Sequence, residues 1–206
     1  SVFYNNQKGT PGFGFMSIEN FEELCNQIME FGKTPLPVLR IHGVGEPTLW
    51  SDLKQALIFA KQRGIKTWIF TMGLGKDRIS FLDTYSNADI VEFSINSYNA
   101  TDFKNTKGLG KVEFEEISLR IKCLSKMKNK PRILISRVET INKLEDQKFI
   151  NYWKSLDLAD DVFIRSFHDY GDRIEDKDKL LDGKIKRRYL QKECLVPNNR
   201  MNIDGV

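Results

Sequence analysis

The residues best suited to hold a ligand run from Gly43 to Leu49, Gly-Val-Gly-Glu-Pro-Thr-Leu, after the apolar run 36–41 and before an amphipathic segment. Gly43 and Gly45 remove two side chains where a strand hands over to a helix. Main-chain groups there can meet a ligand that a Cβ would hold at a distance. Glu46 adds a charge, and Pro47 restricts the turn. The spacing is wrong for a dinucleotide fingerprint, whose third glycine would fall on Thr48. Segments 73–77 (Gly-Leu-Gly-Lys-Asp) and 108–112 (Gly-Leu-Gly-Lys-Val) are wrong for a phosphate loop. They lack the leading glycine at its proper distance and the hydroxyl after the lysine, and read as loops. A ligand-free strand-to-helix turn with Pro47 near the helix start is the plain alternative for 43–49.

Periodicity supplies the frame for that turn. Phe21, Leu24, Cys25, Ile28 and Phe31 recur at helical spacing over 18–31, with Ser17 as N-cap. A buried strand over 36–41 follows, then a helix over 50–63 closed by Gly64. Next come a strand over 66–72, a short helix over 77–86, a strand over 89–96 and a helix over 113–127. A strand over 132–138, a helix over 144–156 and a strand over 161–167 complete the series. Branched strands that alternate with helices call for a parallel sheet with right-handed crossovers. Ligands of such sheets gather at the carboxyl ends of the strands, where 43–49 lies. Because the order opens on a helix, a strand is expected before it. Residues 175–193 are charged and weakly periodic, as a linker is; 194–206, from Cys194 through a Pro-Asn-Asn turn, are expected to open a second module.

With 206 residues, 40% hydrophobic, 29% charged and 11% aromatic, the chain has the composition of a globular protein with one substantial core. The net charge of +4 is spread by interleaving acids and bases. The basic cluster Lys184, Lys186, Arg187, Arg188 has no aromatic platform beside it, so it reads as a solvated helix face and nucleic acid is not the expected partner. Cys25, Cys123 and Cys194 are odd in number and widely spaced, which points to a reducing compartment. No run of 18 apolar residues and no secretory signal occurs in the sequence, and the expected location is the cytoplasm, away from membranes.

The order of three motifs is similar to that of the radical S-adenosylmethionine superfamily: 43–49, then Gly-Ile-Lys-Thr-Trp-Ile-Phe-Thr-Met-Gly at 64–73, then Asp-Ile-Val-Glu-Phe-Ser-Ile-Asn-Ser at 89–97. The resemblance implies an α/β fold, a partial TIM-like (β/α)6 barrel with strand one missing, over 1–174. It implies a linker over 175–193 and the start of an auxiliary-cluster domain of SPASM or twitch type over 194–206. In that family the glycine turn offers carbonyls to the ammonium of the cofactor's methionyl group. Carried over, Gly43, Val44, Gly45 and Glu46 would line this contact, and Pro47 would fix the turn. Thr71 falls where the family often has Thr-Asn, with Met72 in place of the asparagine. Ser94 and Asn96 match positions that touch the ribose or the carboxylate, and Ser136 and Arg137 match the corresponding end of the next strand. Lys104 and Lys107 are both candidates to pair with the cofactor's carboxylate. For each polar residue a solvated or capping role is the alternative.

The family's chemistry uses a Cys-x3-Cys-x2-Cys loop that holds a 4Fe-4S cluster, and this sequence has no such triplet. Cys25 and Cys123 lie on or near buried helix stripes, where a cysteine is usually a small core residue. Residues 1–17 resemble the tail of the cluster loop, so the expectation is a fragment whose strand one and cluster ligands precede Ser1. Cys194 would be the first ligand of an auxiliary 4Fe-4S cluster. The implied activity is reductive cleavage of S-adenosylmethionine at the 4Fe-4S cluster, fed by a flavodoxin- or ferredoxin-type reductant. The resulting 5'-deoxyadenosyl radical would abstract hydrogen from a substrate, either a peptide or a small molecule of sugar type. Arg165, His168 and Asp169, on the loop 165–173, are the candidate substrate contacts; a loop that merely closes the barrel is the alternative. The rival function is a cluster-free, degenerate barrel that binds a ligand or partner as a scaffold.

Overall fold

The structure is a computed structural model and describes residues 16–30, 38–42, 45–166 and 200–203. Helix α1 (Ile18–Glu30) buries Phe21, Cys25 and Ile28, the stripe its spacing dictates. The Ser17 hydroxyl accepts the Asn20 amide at 3.3 Å, as an N-cap does. Strand β1 (Val38–Ile41) leads through residues 42–46 to a 3-10 turn, Pro47–Leu49, and then to α2 (Leu53–Gln62). The helix expected to begin at 50 therefore starts later. Trp50 is buried, its ring 5.7 Å from that of Phe21.

The chain continues through β2 (Thr67–Thr71), α3 (Arg78–Tyr85), β3 (Ile90–Ser94), α4 (Ala100–Lys107) and α5 (Lys111–Ser125). It ends with β4 (Arg132–Val138), α6 (Lys143–Ser155), β5 (Asp161–Arg165) and β6 (Arg200–Ile203). Helix α4 was not anticipated, because Phe103 is its sole buried residue and no apolar stripe announces it. Its ends carry ordinary signals: the Asn99 side chain accepts the Asp102 amide at 2.8 Å, and Gly108 closes it.

The sheet is parallel throughout, in the order β5-β4-β3-β2-β1-β6. From β1 to β5 each strand is laid beside its predecessor in one direction. Right-handed crossovers then put every helix on the same face. Packing agrees: α1 lies on α2, α2 on α3, and α3 and α4 on α5, a single helical layer. Register divides the strand residues between the faces. Leu39, Ile41, Ile69, Val91, Phe93, Ile133, Ile135 and Val162 join the helices in one hydrophobic core.

The opposite face carries a different set: Arg40, Trp68, Phe70, Glu92, Ser94, Leu134, Ser136, Phe163 and Arg165. No described helix covers it. Residues 200–203, expected to belong to a second module, form β6 and pair in parallel with β1, Val38 opposite Arg200 and Ile41 opposite Ile203.

Candidate functional site

Gly43 and Val44 lie outside the described residues, and the site begins at Gly45. Its φ is not left-handed, and a Cβ built on it would meet nothing within 4 Å. By contrast Gly73 and Gly75 have φ of +87° and +118°, and a Cβ would come within 3.1 Å of Phe93 and Thr48 respectively. Those two glycines are required by the fold. Among the described residues nothing requires Gly45, and the space in front of its backbone is open.

Glu46 holds this turn in place. One carboxylate oxygen accepts from Thr71 Oγ1 and Thr48 Oγ1, each at 2.5 Å, and from the Thr48 amide at 3.3 Å. The other accepts the Met72 amide at 2.8 Å. The side chain thus ties the loop after β1 to the end of β2, and Gly45 beside it is exposed. Thr71 gives its one hydroxyl hydrogen to Glu46 and accepts the Gly73 amide at 2.9 Å. The Thr48 hydroxyl gives its one hydrogen to Glu46, so the contact with Tyr85 Oη at 3.3 Å has the tyrosine as donor. Burial, and then the charge of Glu46, push the Tyr85 hydroxyl's pKa upward.

Lysine positions divide cleanly. Lys104 is exposed, whereas Lys107 is half-buried. Burial lowers the pKa of the Lys107 ammonium, and the charge of Glu46 opposes that shift, so Lys107 lies within electrostatic reach of the turn.

Ser94 and Ser136 stand opposite each other across β3 and β4, on the face without helices. Ser136 is 1% exposed and its hydroxyl has no hydrogen-bond partner among the described residues. A buried orphan hydroxyl costs on the order of 1–3 kcal/mol, and a ligand atom would relieve that cost. Asn96, two residues beyond β3, has φ 64°; its Oδ1 accepts the Val138 amide at 2.9 Å.

Arg137 points to the helical side. Its Nη1 donates to Asn96 O at 2.8 Å and pairs with Asp102 at 2.9 Å, while Nε lies 3.4 Å from Asp146. Its side chain is only 4% exposed. Arg137 thus locks α4 and α6 to the ends of β3 and β4, and Asn96 is the link between that lock and the site.

Arg165, at the end of β5, reaches back across the open face to Glu92. Its Nε donates to Glu92 Oε1 at 2.5 Å and its Nη2 to Oε2. The signal for this pair in the sequence is a charged residue, Glu92, within an apolar strand. Arg40, in β1, carries the same signal. Its guanidinium lies over Trp68 and Phe70, 4.9 and 4.5 Å from the ring centroids.

His168, Asp169 and Cys194 lie outside the described residues. Cys25 is wholly buried, and burial pushes its thiol up to about 11, a core cysteine rather than a thiolate ligand. Among the described residues no group of His, Cys, Asp and Glu could hold a metal ion. The iron–sulfur cluster implied by the resemblance therefore finds no ligand set there. The open backbone at Gly45 and the Ser136 hydroxyl, which has no partner among the described residues, are polar groups free to meet a ligand. No helix among the described residues is long and apolar enough to cross a membrane.

No family model matches the chain, and no curated protein matches it in sequence. Solved structures do match its fold. Streptococcus suis SuiB bound to S-adenosylmethionine aligns over 93% of this chain and 43% of its own, with TM-score 0.61 and 14% identity. SuiB bound to the precursor peptide SuiA aligns over 90% and 42%, with TM-score 0.60 and 14% identity. The chain therefore spans less than half the length of these neighbours. At this identity the likeness establishes a shared fold, an α/β sheet of the kind found in a protein that binds S-adenosylmethionine.

Proposed function

We propose that the carboxyl end of this sheet binds S-adenosylmethionine and that the chain is the core of a radical S-adenosylmethionine enzyme whose substrate is a peptide. The observation that carries the reading is Gly45: a glycine that nothing among the described residues requires, on an exposed bend, inside the motif that resembles the family's amine-binding turn. The shared fold with SuiB, crystallised with S-adenosylmethionine and with a precursor peptide, supports both halves.

In this reading main-chain oxygens of Val44, Gly45 and Glu46 receive the methionyl ammonium. Pro47 and the Glu46 brace hold the bend rigid, so little ordering is left for the moment of binding. The Ser136 hydroxyl, with Ser94 beside it, takes a polar group of the ligand. Lys107 supplies the cation for its carboxylate. Asn96, held by Arg137, keeps the end of β3 in register with β4. Thr71 acts through Glu46. S-adenosylmethionine, when bound and reductively cleaved, supplies hydrogen-abstraction chemistry; the protein's part is to orient it and exclude water. Cys194 as auxiliary ligand and a flavodoxin- or ferredoxin-type donor belong to the same proposal.

A ligand that binds the folded state alone raises stability, by about 2.7 kcal/mol at one hundred times its Kd. Unfolding of the chain by urea should therefore shift to higher midpoint with S-adenosylmethionine and not with equal concentrations of adenosine plus methionine. Equal midpoints in all three conditions, up to millimolar ligand, would remove the proposal.

A further inference from the structure

We infer that Arg165 is the anchor for a carboxylate on the substrate, an acidic side chain or carboxyl terminus of a peptide, received on the face of the sheet that carries no helix. The inference rests on the peptide reading above and gives it a recognition element. It begins with Glu92, which is 0% exposed. A carboxylate so buried must be paired, and its described partner is Arg165. An ion pair placed there for stability alone is a poor choice, since apolar residues of similar volume would do as well or better.

The geometry is better suited to presentation. Glu92 lies in register with Leu134 and Asp161, whereas Arg165 lies in register with Val138, at the end of β5. The arginine side chain has been drawn back from its own row toward the middle of the face. There it rests against Phe70, a β2 residue, with its guanidinium carbon 4.7 Å from the ring centroid, and against Phe163 at 5.3 Å. Two rings and a bidentate carboxylate leave the guanidinium little freedom to rotate.

A guanidinium has five N–H donors in a planar fork. Glu92 occupies the edge formed by Nε and Nη2. The two Nη1 hydrogens and the second hydrogen on Nη2 have no acceptor among the described residues, and the side chain remains 29% exposed. That open end matches the two oxygens of one carboxylate. Because Glu92 already neutralises the guanidinium, a monoanion suits the position better than a phosphate dianion. The rings of Phe70 and Phe163 would flank the incoming group and strengthen the contact by excluding water. The unpartnered Ser136 hydroxyl stands in register with Phe163, one strand away on the same face, so cofactor and peptide would meet over adjacent strands.

The test uses the whole chain and two peptides, N-acetyl-Phe-Glu-amide and its isostere N-acetyl-Phe-Gln-amide, with inorganic phosphate as a third probe. Binding is followed through the Arg165 Nε–H resonance by NMR. The expected result is at least tenfold tighter binding of the glutamate peptide and a saturable shift of that resonance. Replacing both charges, Glu92→Gln with Arg165→Gln, should abolish the preference while leaving no buried charge unpaired. Equal binding of the two peptides, a preference that survives the double substitution, or tighter binding of phosphate than of the glutamate peptide would each overturn the inference. Stabilisation by S-adenosylmethionine, measured on the same samples, is independent of this outcome, so failure of the cofactor reading is seen separately.

Discussion

Exchange of Gly45 for alanine separates a glycine kept for a ligand from one kept for the fold. The added Cβ would meet no atom of the described residues within 4 Å, and the backbone is not in the left-handed region. The folded state should accept the methyl group without strain. The unfolded state loses freedom, so stability should stay level or rise by about 0.4–1 kcal/mol. The ligand is affected in the opposite sense. A methyl group projecting from the bend keeps the ammonium from the carbonyls, and a charge-assisted hydrogen bond is worth roughly 1.5–3 kcal/mol. Binding should weaken by about ten- to one-hundredfold. Urea unfolding gives the first quantity, and calorimetric titration with S-adenosylmethionine gives the second. Unchanged affinity would refute the assignment of the bend, and a loss of several kcal/mol of stability would show that the fold needs the glycine after all.

Other perturbations act on the supports of the site. Glu46→Gln turns one acceptor into a donor facing the Met72 amide or the threonine hydroxyls; the cost should be about 1–3 kcal/mol, with faster amide exchange at Met72. Arg137→Met takes the buried cation from between Asp102 and Asp146, leaving Asp102 without its ion-pair partner among the described residues and Asp146 with only the exposed Lys143 at 3.5 Å, and should cost about 3–5 kcal/mol in urea unfolding. Glu116 is held down at about 2, against its ordinary 4.5, first by its hydrogen bond from Arg78 and then by that from Arg120. Its folded pKa lies below its unfolded one, so its contribution is complete above pH 4.5 and lost as pH falls toward 2. The stability difference between the wild type and Glu116→Gln should therefore shrink over that window. Iodoacetamide at pH 8 should modify the partly exposed Cys123 well before Cys25, whose thiol is buried and raised to about 11, as mass spectrometry of digests would show.

How far the residues alone could be read depended on whether a feature was local. Helix α1 was legible because its stripe and its Ser17 cap are adjacent in sequence. The strands were legible because buried parallel strands are short apolar runs between turn signals. Helix α4 was missed for the converse reason: eight residues with one buried aromatic have no period to detect. In the site, the glycine bend was visible, but the work of Glu46 was not. Its partners Thr71 and Met72 lie 25 and 26 residues away, and nothing in the turn itself names them. Arg137 and Ser136 are neighbours in sequence with opposite fates, since a strand sends alternate side chains to opposite faces. One became a buried tie among helices, and the other was left unpartnered on the open face. The pairing of Glu92 with Arg165 spans 73 residues and became visible only with the sheet order.

The most direct measurement compares two ligands at the bend by following backbone amide resonances of the labelled chain. S-adenosylhomocysteine carries the methionine-derived amine and carboxylate; 5'-methylthioadenosine keeps the nucleoside and the sulfur but lacks both. Saturable shifts at Gly45 and Glu46 with the first and not the second, together with shifts at Ser136 with both, are predicted. Identical responses at Gly45 and Glu46 to the two ligands, or none to either, would contradict the claim that this bend receives an amine.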